Sequence, residues 1–147
     1  MNAILCDLPD YQIKRRQKIH NNTARLIHKV RRSDHITPIL QELHWLPVSQ
    51  RIVFKILLLV YKSTNHNGPS YLADLLHPYQ QEHYYLRSTN QKLLVETRTN
   101  KSYGDRAFGV CGPKLWKELP LYIRECNSID IFKKTLKTHL FRIAYNI

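Results

Sequence analysis

Glycine is scarce in this chain, with four among 147 residues, and no stretch is of low complexity. That argues against a long flexible linker and a second domain hung from one. Cysteine is thin as well: Cys6, Cys111 and Cys126 are an odd number, far apart, with no Cys-x-x-Cys among them. A disulfide framework and a zinc knuckle are both disfavoured, and a reducing, intracellular compartment is the natural expectation. Long apolar runs are missing too. The uncharged run between Lys55 and Lys62 falls far short of the roughly 18 residues a membrane helix needs, and the N-terminus lacks the charged-then-apolar pattern of a secretory signal. Acids are the most telling deficit, 11 Asp and Glu against 23 Lys and Arg, which leaves a formal charge of +12. With a pI near 9.8, nucleic acid is the first partner to weigh against a merely solvated basic surface.

What the chain does possess is a core. Hydrophobic residues make up 43% of it, enough for one globular domain. Its organising stretch is Leu43 to Tyr61, in which Ile52, Phe54, Ile56, Leu57, Leu59 and Val60 point in nearly every direction around a helix. Such a helix must be covered on most sides, which makes it the centre of an all-α bundle of short helices. Trp45, Leu46 and Pro47 lead into it, with proline fixing the approach.

Around that centre the chain divides into a basic N-terminal helix over 1–32, a central helical core over 33–78, a loop-rich segment over 79–104 and C-terminal helices over 105–147. The first helix is expected from Pro9 to Val30, capped by Asp7, with Ile13, Ile19, Thr23, Leu26, Ile27 and Val30 as an imperfect apolar stripe. No acid falls between Asp10 and Asp34. Lys14, Arg15, Lys18, Arg25, Lys29, Arg31 and Arg32 are therefore the first candidates for phosphate contact; Arg16 also lies on the surface of that helix but is not among them. Thr37-Pro38 is expected to start a second helix, and Asn65 to Pro69 to stop the central one. Tyr71 to Leu76 reads as a short helix ended by Pro78. Tyr84, Tyr85 and Arg87 lie in the loop-rich segment, where they either stack on unpaired bases or pack on their own domain; Lys92 to Glu96 reads as extended. Gly112-Pro113 is expected to break the chain before a one-turn helix over Lys114 to Pro120. Ser128 then caps a terminal helix with Ile129, Phe132, Leu136, Leu140 and Ile143 inward, and Lys133, Lys134 and Lys137 form a second candidate phosphate track. Trp45 and Trp116, tempting as base stackers, have aliphatic neighbours and read as core anchors.

Catalysis has little to build on. Tyr71-Leu72-Ala73-Asp74 comes near a polymerase Tyr-x-Asp-Asp turn, but the aspartate is one position late, Leu75 follows it, and the flanks predict a helix. No nucleophile elbow of the Gly-x-Ser-x-Gly kind is present. The eight histidines are scattered, and neither a metal nor another cofactor is expected.

The run Asp34 to Lys62, DHITPILQELHWLPVSQRIVFKILLLVYK, resembles the region downstream of the polymerase domain in reverse transcriptases of non-LTR retrotransposons, the LINE class with jockey-like relatives. Further blocks agree in order: LPDYQIKRRQKIHNNTARLI, GPSYLADLL, LRS, YGDRAFGVCGPKLWKELPLYIR and SIDIFKKTLKTHLF. The likeness covers nearly the whole chain. It implies a trailing part of a longer reading frame, lying beyond the polymerase palm and next to the thumb; neither an endonuclease domain nor a C-terminal zinc knuckle is found in the sequence. There it would hold template RNA or target DNA, or brace the polymerase domains of the parent protein, in support of RNA-directed DNA synthesis. Arg16 departs from the pattern, since relatives commonly carry an aliphatic residue there. The expectation is thus a non-enzymatic binding module touching RNA or DNA backbones and no membrane. A structural remnant that only packed on missing polymerase domains is the alternative, marked by exposed apolar patches.

Overall fold

In the computed structural model, residues 8–79, 92–99 and 104–147 are described. They form α1 (Asp10–His28), α2 (Ile36–Glu42), α3 (Val48–Thr64), α4 (Ser70–Ala73), α5 (Phe108–Glu118), α6 (Leu121–Arg124) and α7 (Ile129–Tyr145), with a 3-10 turn over Gly104–Arg106. No strand occurs among the described residues beyond one isolated antiparallel bridge between Pro78 and Leu94. The fold is all-α, as the sequence pattern requires.

Helix starts and stops follow from composition. Of the seven prolines, four stand just ahead of a helix: Pro9, Pro47, Pro69 and Pro120. There the fixed φ sets the chain's approach and the missing N–H is harmless. The stops are less usual. Helices commonly end on a left-handed residue, most often glycine, yet here those positions are Lys29, His44, His66 and Asn146, with φ between 50° and 56°, and no glycine has positive φ. In each case the next amide reaches back five residues: Val30 to the Arg25 carbonyl, Trp45 to Leu40, Asn67 to Lys62 and Ile147 to Arg142, at 2.8 to 3.2 Å. A chain poor in glycine therefore closes its helices on side-chain-bearing residues and carries the steric cost.

The centre of the fold is α3. Ile56, Leu57 and Val60 are fully buried against Ile123, Phe132 and Leu136. Phe132 stacks on Tyr61 with centroids 4.2 Å apart and planes 17° from parallel, and Trp116 lies tilted against Phe132 at 6.0 Å. Both polar rings are satisfied: the Tyr61 hydroxyl donates to the Cys126 carbonyl at 2.8 Å and the Trp116 indole N–H to the Lys92 carbonyl at 2.8 Å. Gly112 lets α5 close on α3, since a Cβ there would lie 3.0 Å from the Val60 Cγ2. Cys111 is buried and Cys126 half-buried, with no disulfide between them. A second, smaller cluster joins α1 to α2 through Ala24, Ile39 and Leu40, flanked by Trp45 and Tyr145.

Several expectations need correcting. Ile19, Leu26 and Ile27 do not face inward but are 64%, 79% and 53% exposed. The small side chain of Ala24 and polar pins decide the buried face of α1 instead. The Gln17 side-chain oxygen accepts from the Val48 amide at 2.8 Å, and His28 meets Glu42 at 3.7 Å. The second helix begins at Ile36 with no side-chain cap, so Thr37 and Pro38 lie inside its first turn. The Gly112-Pro113 pair breaks nothing. α5 runs through it for 11 residues, with Pro113 fully buried. Burial of Cys111, Gly112, Pro113 and Trp116 on one face outweighs the roughly 3 kcal/mol that proline costs inside a helix. α4 stops at Ala73 rather than Leu76, Ile143 is 53% exposed, and α6 has no counterpart in the sequence reading. Ser128 does cap α7, accepting from the Asp130 amide at 3.3 Å. Asp7, Cys6, Tyr84, Tyr85 and Arg87 lie outside the described residues.

His66 is exposed at the end of α3 with φ 56°. His66→Gly is expected to stabilise the fold by about 1 kcal/mol by relieving the left-handed conformation. Urea midpoints of the two proteins measure it, and a destabilised variant would contradict the cap assignment.

Candidate nucleic-acid interface

Among the described residues, carboxylates stand at helix ends and in the connecting segments, whereas cations lie along the long helices. α3 carries Arg51, Lys55 and Lys62 and no acid; α1 and α7 each have one acid, Asp10 and Asp130, confined to the first turn. First-turn acids complement the positive helix terminus, which leaves the rest of each helix purely basic. On α3 the apolar residues claim the buried face, so Arg51 and Lys55, one turn apart, are pushed to the exposed one.

Where α1, the α2–α3 turn, α3 and α7 meet, they leave a groove of about 860 Å³. Arg16 of α1, Arg51 and Lys55 of α3 and Lys137 of α7 line it, all exposed, and no carboxylate does. Its floor is apolar and aromatic, built from buried Leu46 and Ile52 with half-buried Trp45, Val48 and Phe54. Ile19, His20, Thr23 and His44 complete the lining. Trp45 is held from three sides. The left-handed His44 closes α2 and turns the chain so that the Trp45 amide binds the Leu40 carbonyl. The Tyr145 hydroxyl donates to the Trp45 carbonyl at 2.6 Å, and the His20 ring packs on the indole at 4.9 Å.

Of the cations singled out from sequence, Lys137 lines the groove and the others do not. Lys14, Arg15 and Lys18 are exposed on α1, away from the face that presents Arg16, Ile19, His20 and Thr23. Arg25 donates to the Asp34 backbone carbonyl at 3.0 Å, and the Asp34 carboxylate accepts from the Arg31 amide at 3.0 Å, so the turn that carries exposed Arg31 and Arg32 also carries an acid. Lys29 is exposed at the end of α1. Lys133 pairs with Asp130 at 3.2 Å, while Lys134 is exposed. Arg16, Arg51 and Lys55 were missed as a set. The signal for the α3 pair was two cations four residues apart on an otherwise apolar helix without acids. Trp116 is the core anchor expected, whereas Trp45 is shared between the minor cluster and the groove.

Neither a protein-family model, nor a curated protein, nor a solved structure matches the chain. Among the described residues no group of three His, Cys, Asp or Glu is placed to hold a metal ion, and no helix is long and apolar enough to cross a membrane. Tyr71 lies in α4 with Asp74 at its end, a helix and not a hairpin turn.

Burial holds the His20 imidazole below its ordinary range, with the charge of Arg51 adding to the effect. Arg16 and His44 share the same groove. His139 is lowered likewise, by burial first and Arg142 second. An unfolded chain takes up these protons near the ordinary value of 6.5, where the folded one refuses them. Their contribution to stability is therefore complete above that pH and is lost as pH falls below it. Denaturant midpoints are expected to decline from pH 7.5 to 5.5, and His20→Gln with His139→Gln to flatten the decline; equal slopes would count against the assignment.

Proposed function

We propose that the chain is a non-catalytic nucleic-acid-binding module, the post-polymerase part of a LINE-type reverse transcriptase, that contacts template RNA or target DNA in support of RNA-directed DNA synthesis. One observation carries the binding part of this reading: four exposed cations from three helices converge on a groove with no carboxylate in its lining. Like charges brought together without counter-ions repel unless an anion lies among them, and a phosphodiester backbone supplies regularly spaced anions on a flexible chain. The retroelement part rests on the ordered blocks of sequence likeness.

The second reading, a segment that packs on absent polymerase domains, draws on the exposed Ile19, Leu26 and Ile27 of α1. Ile19 also lines the groove, so a partner covering that patch would compete with nucleic acid for one edge of it.

Salt titration separates the two. If the four groove cations each neutralise a phosphate, the log–log slope of affinity against salt is about −2.8 for single strands and about −3.6 for duplex. Arg51→Glu with Lys55→Glu should lower affinity more than tenfold, halve the slope and leave helicity by circular dichroism unchanged. Lys14→Glu, Arg15→Glu and Lys18→Glu together should cost less. Absence of binding at low ionic strength would remove this reading in favour of the packing one.

A further inference from the structure

Phosphates alone have no use for an apolar floor. The four cations stand around Trp45, Leu46, Ile52 and Phe54, so a ligand matched to the whole groove must bring fixed negative charge and flat apolar surface within one short segment. We propose that the groove binds a single-stranded nucleic acid, with successive phosphates on Arg16, Arg51, Lys55 and Lys137 and an unpaired base against the Trp45–His20 ring pair. This rests on the nucleic-acid reading above and narrows it from backbone contact in general to one strand together with its bases.

Size and shape favour a single strand. A volume of about 860 Å³ lies at the upper end of small-ligand sites, suited to a few nucleotides of one chain and not to a turn of two. In a duplex the bases are stacked and paired, so a protein meets phosphates on a convex surface and base edges in the grooves, but no free base face. Those reach exposed cations at the rim but not Leu46 or Ile52, which are buried at the bottom. Arg51 and Lys55 are one helical turn apart on α3, with Cβ atoms about 5–6 Å from each other, a separation that serves neighbouring phosphates of one strand. The floor is also rigid. The Trp45 backbone is pinned by its N–H donating to the Leu40 carbonyl and its carbonyl accepting from the Tyr145 hydroxyl, and the indole lies against the His20 ring, tilted by 37°, which lowers the ordering cost when a base stacks there. The planar guanidinium groups of Arg16 and Arg51 can cover a base face as well as pair with phosphate.

The 147-residue chain is tested at low salt by fluorescence anisotropy with three probes: a thymidine hexamer, an abasic phosphodiester hexamer of equal charge, and a hairpin duplex. The hexamer is run in ribose and deoxyribose forms to tell RNA from DNA as the source. The base-bearing hexamer is expected to bind at least about fivefold tighter than the abasic one, and tighter than the duplex, while quenching tryptophan emission. Trp116 is buried and bonded to Lys92, so the quenching reports Trp45. Equal affinity for abasic and base-bearing strands would overturn the inference while leaving backbone contact standing, and failure of every probe to bind would remove both. Displacement of the hexamer by phosphatidylserine vesicles at equal charge would reassign the groove to an anionic amphiphile and overturn it too.

Discussion

The stack of Phe132 on Tyr61, 4.2 Å between ring centres, is the contact on which the arrangement depends. It locks α7 along α3 in one register, and Ile56, Val60, Leu136 and Ile123 fill the space around it. Two consequences follow from that register. The basic flank of α7 comes to the same side as the exposed face of α3, which brings Lys137 to the groove that Arg51 and Lys55 line. The C-terminal turn of α7 also arrives at the α2–α3 turn, where Tyr145 reaches the Trp45 carbonyl across 100 residues of sequence. Apolar packing in the core thus sets the position of charges that take no part in it.

A second set of contacts, the small Ala24 cluster together with polar pins, fastens α1 to this frame. Pro47 precedes α3 and supplies no side-chain cap, which leaves first-turn amides without partners. Gln17 of α1 answers one of them at Val48, so the cap of the central helix comes from another element. Ala24 is the single buried residue of α1, and little apolar surface backs these pins. The groove is consequently bounded by one well-packed wall, α3 with α7, and one lightly held wall, α1. Elements with few buried apolar contacts open at low free energy, and adjustment of the groove to a ligand falls to α1.

Much of the fold is legible in the sequence because hydrophobic spacing there reports burial directly. The central helix, the stop at Asn65, the Ser128 cap and the inward Phe132, Leu136 and Leu140 all obey local rules. The exceptions share a cause. Pro113 sits inside α5, and Leu26 points to solvent, because distant partners decide both positions and sequence spacing does not encode them. The candidate site was harder still. Density of charge along the chain pointed to Lys14 through Arg32, where cations are most concentrated, whereas convergence in space selects single residues from helices far apart. Arg16, Arg51 and Lys137 are separated by up to 121 positions, and nothing in their own neighbourhoods announces that they meet.

The two populations of cations have different physical capacities. Lys14, Arg15, Lys18 and Lys134 are exposed to solvent. Screened within about 8 Å at physiological salt, they raise the local concentration of any polyanion and orient its approach, which acts on the association rate. Arg16, Arg51, Lys55 and Lys137 surround a concave, apolar floor, where lower polarity strengthens each charge contact and where flat surfaces can be buried as well. Contacts of that second kind govern how long a complex lasts. On the proposed reading, the formal charge of +12 exceeds what the groove itself uses because most of it serves encounter, and discrimination is left to the few residues that three helices hold together.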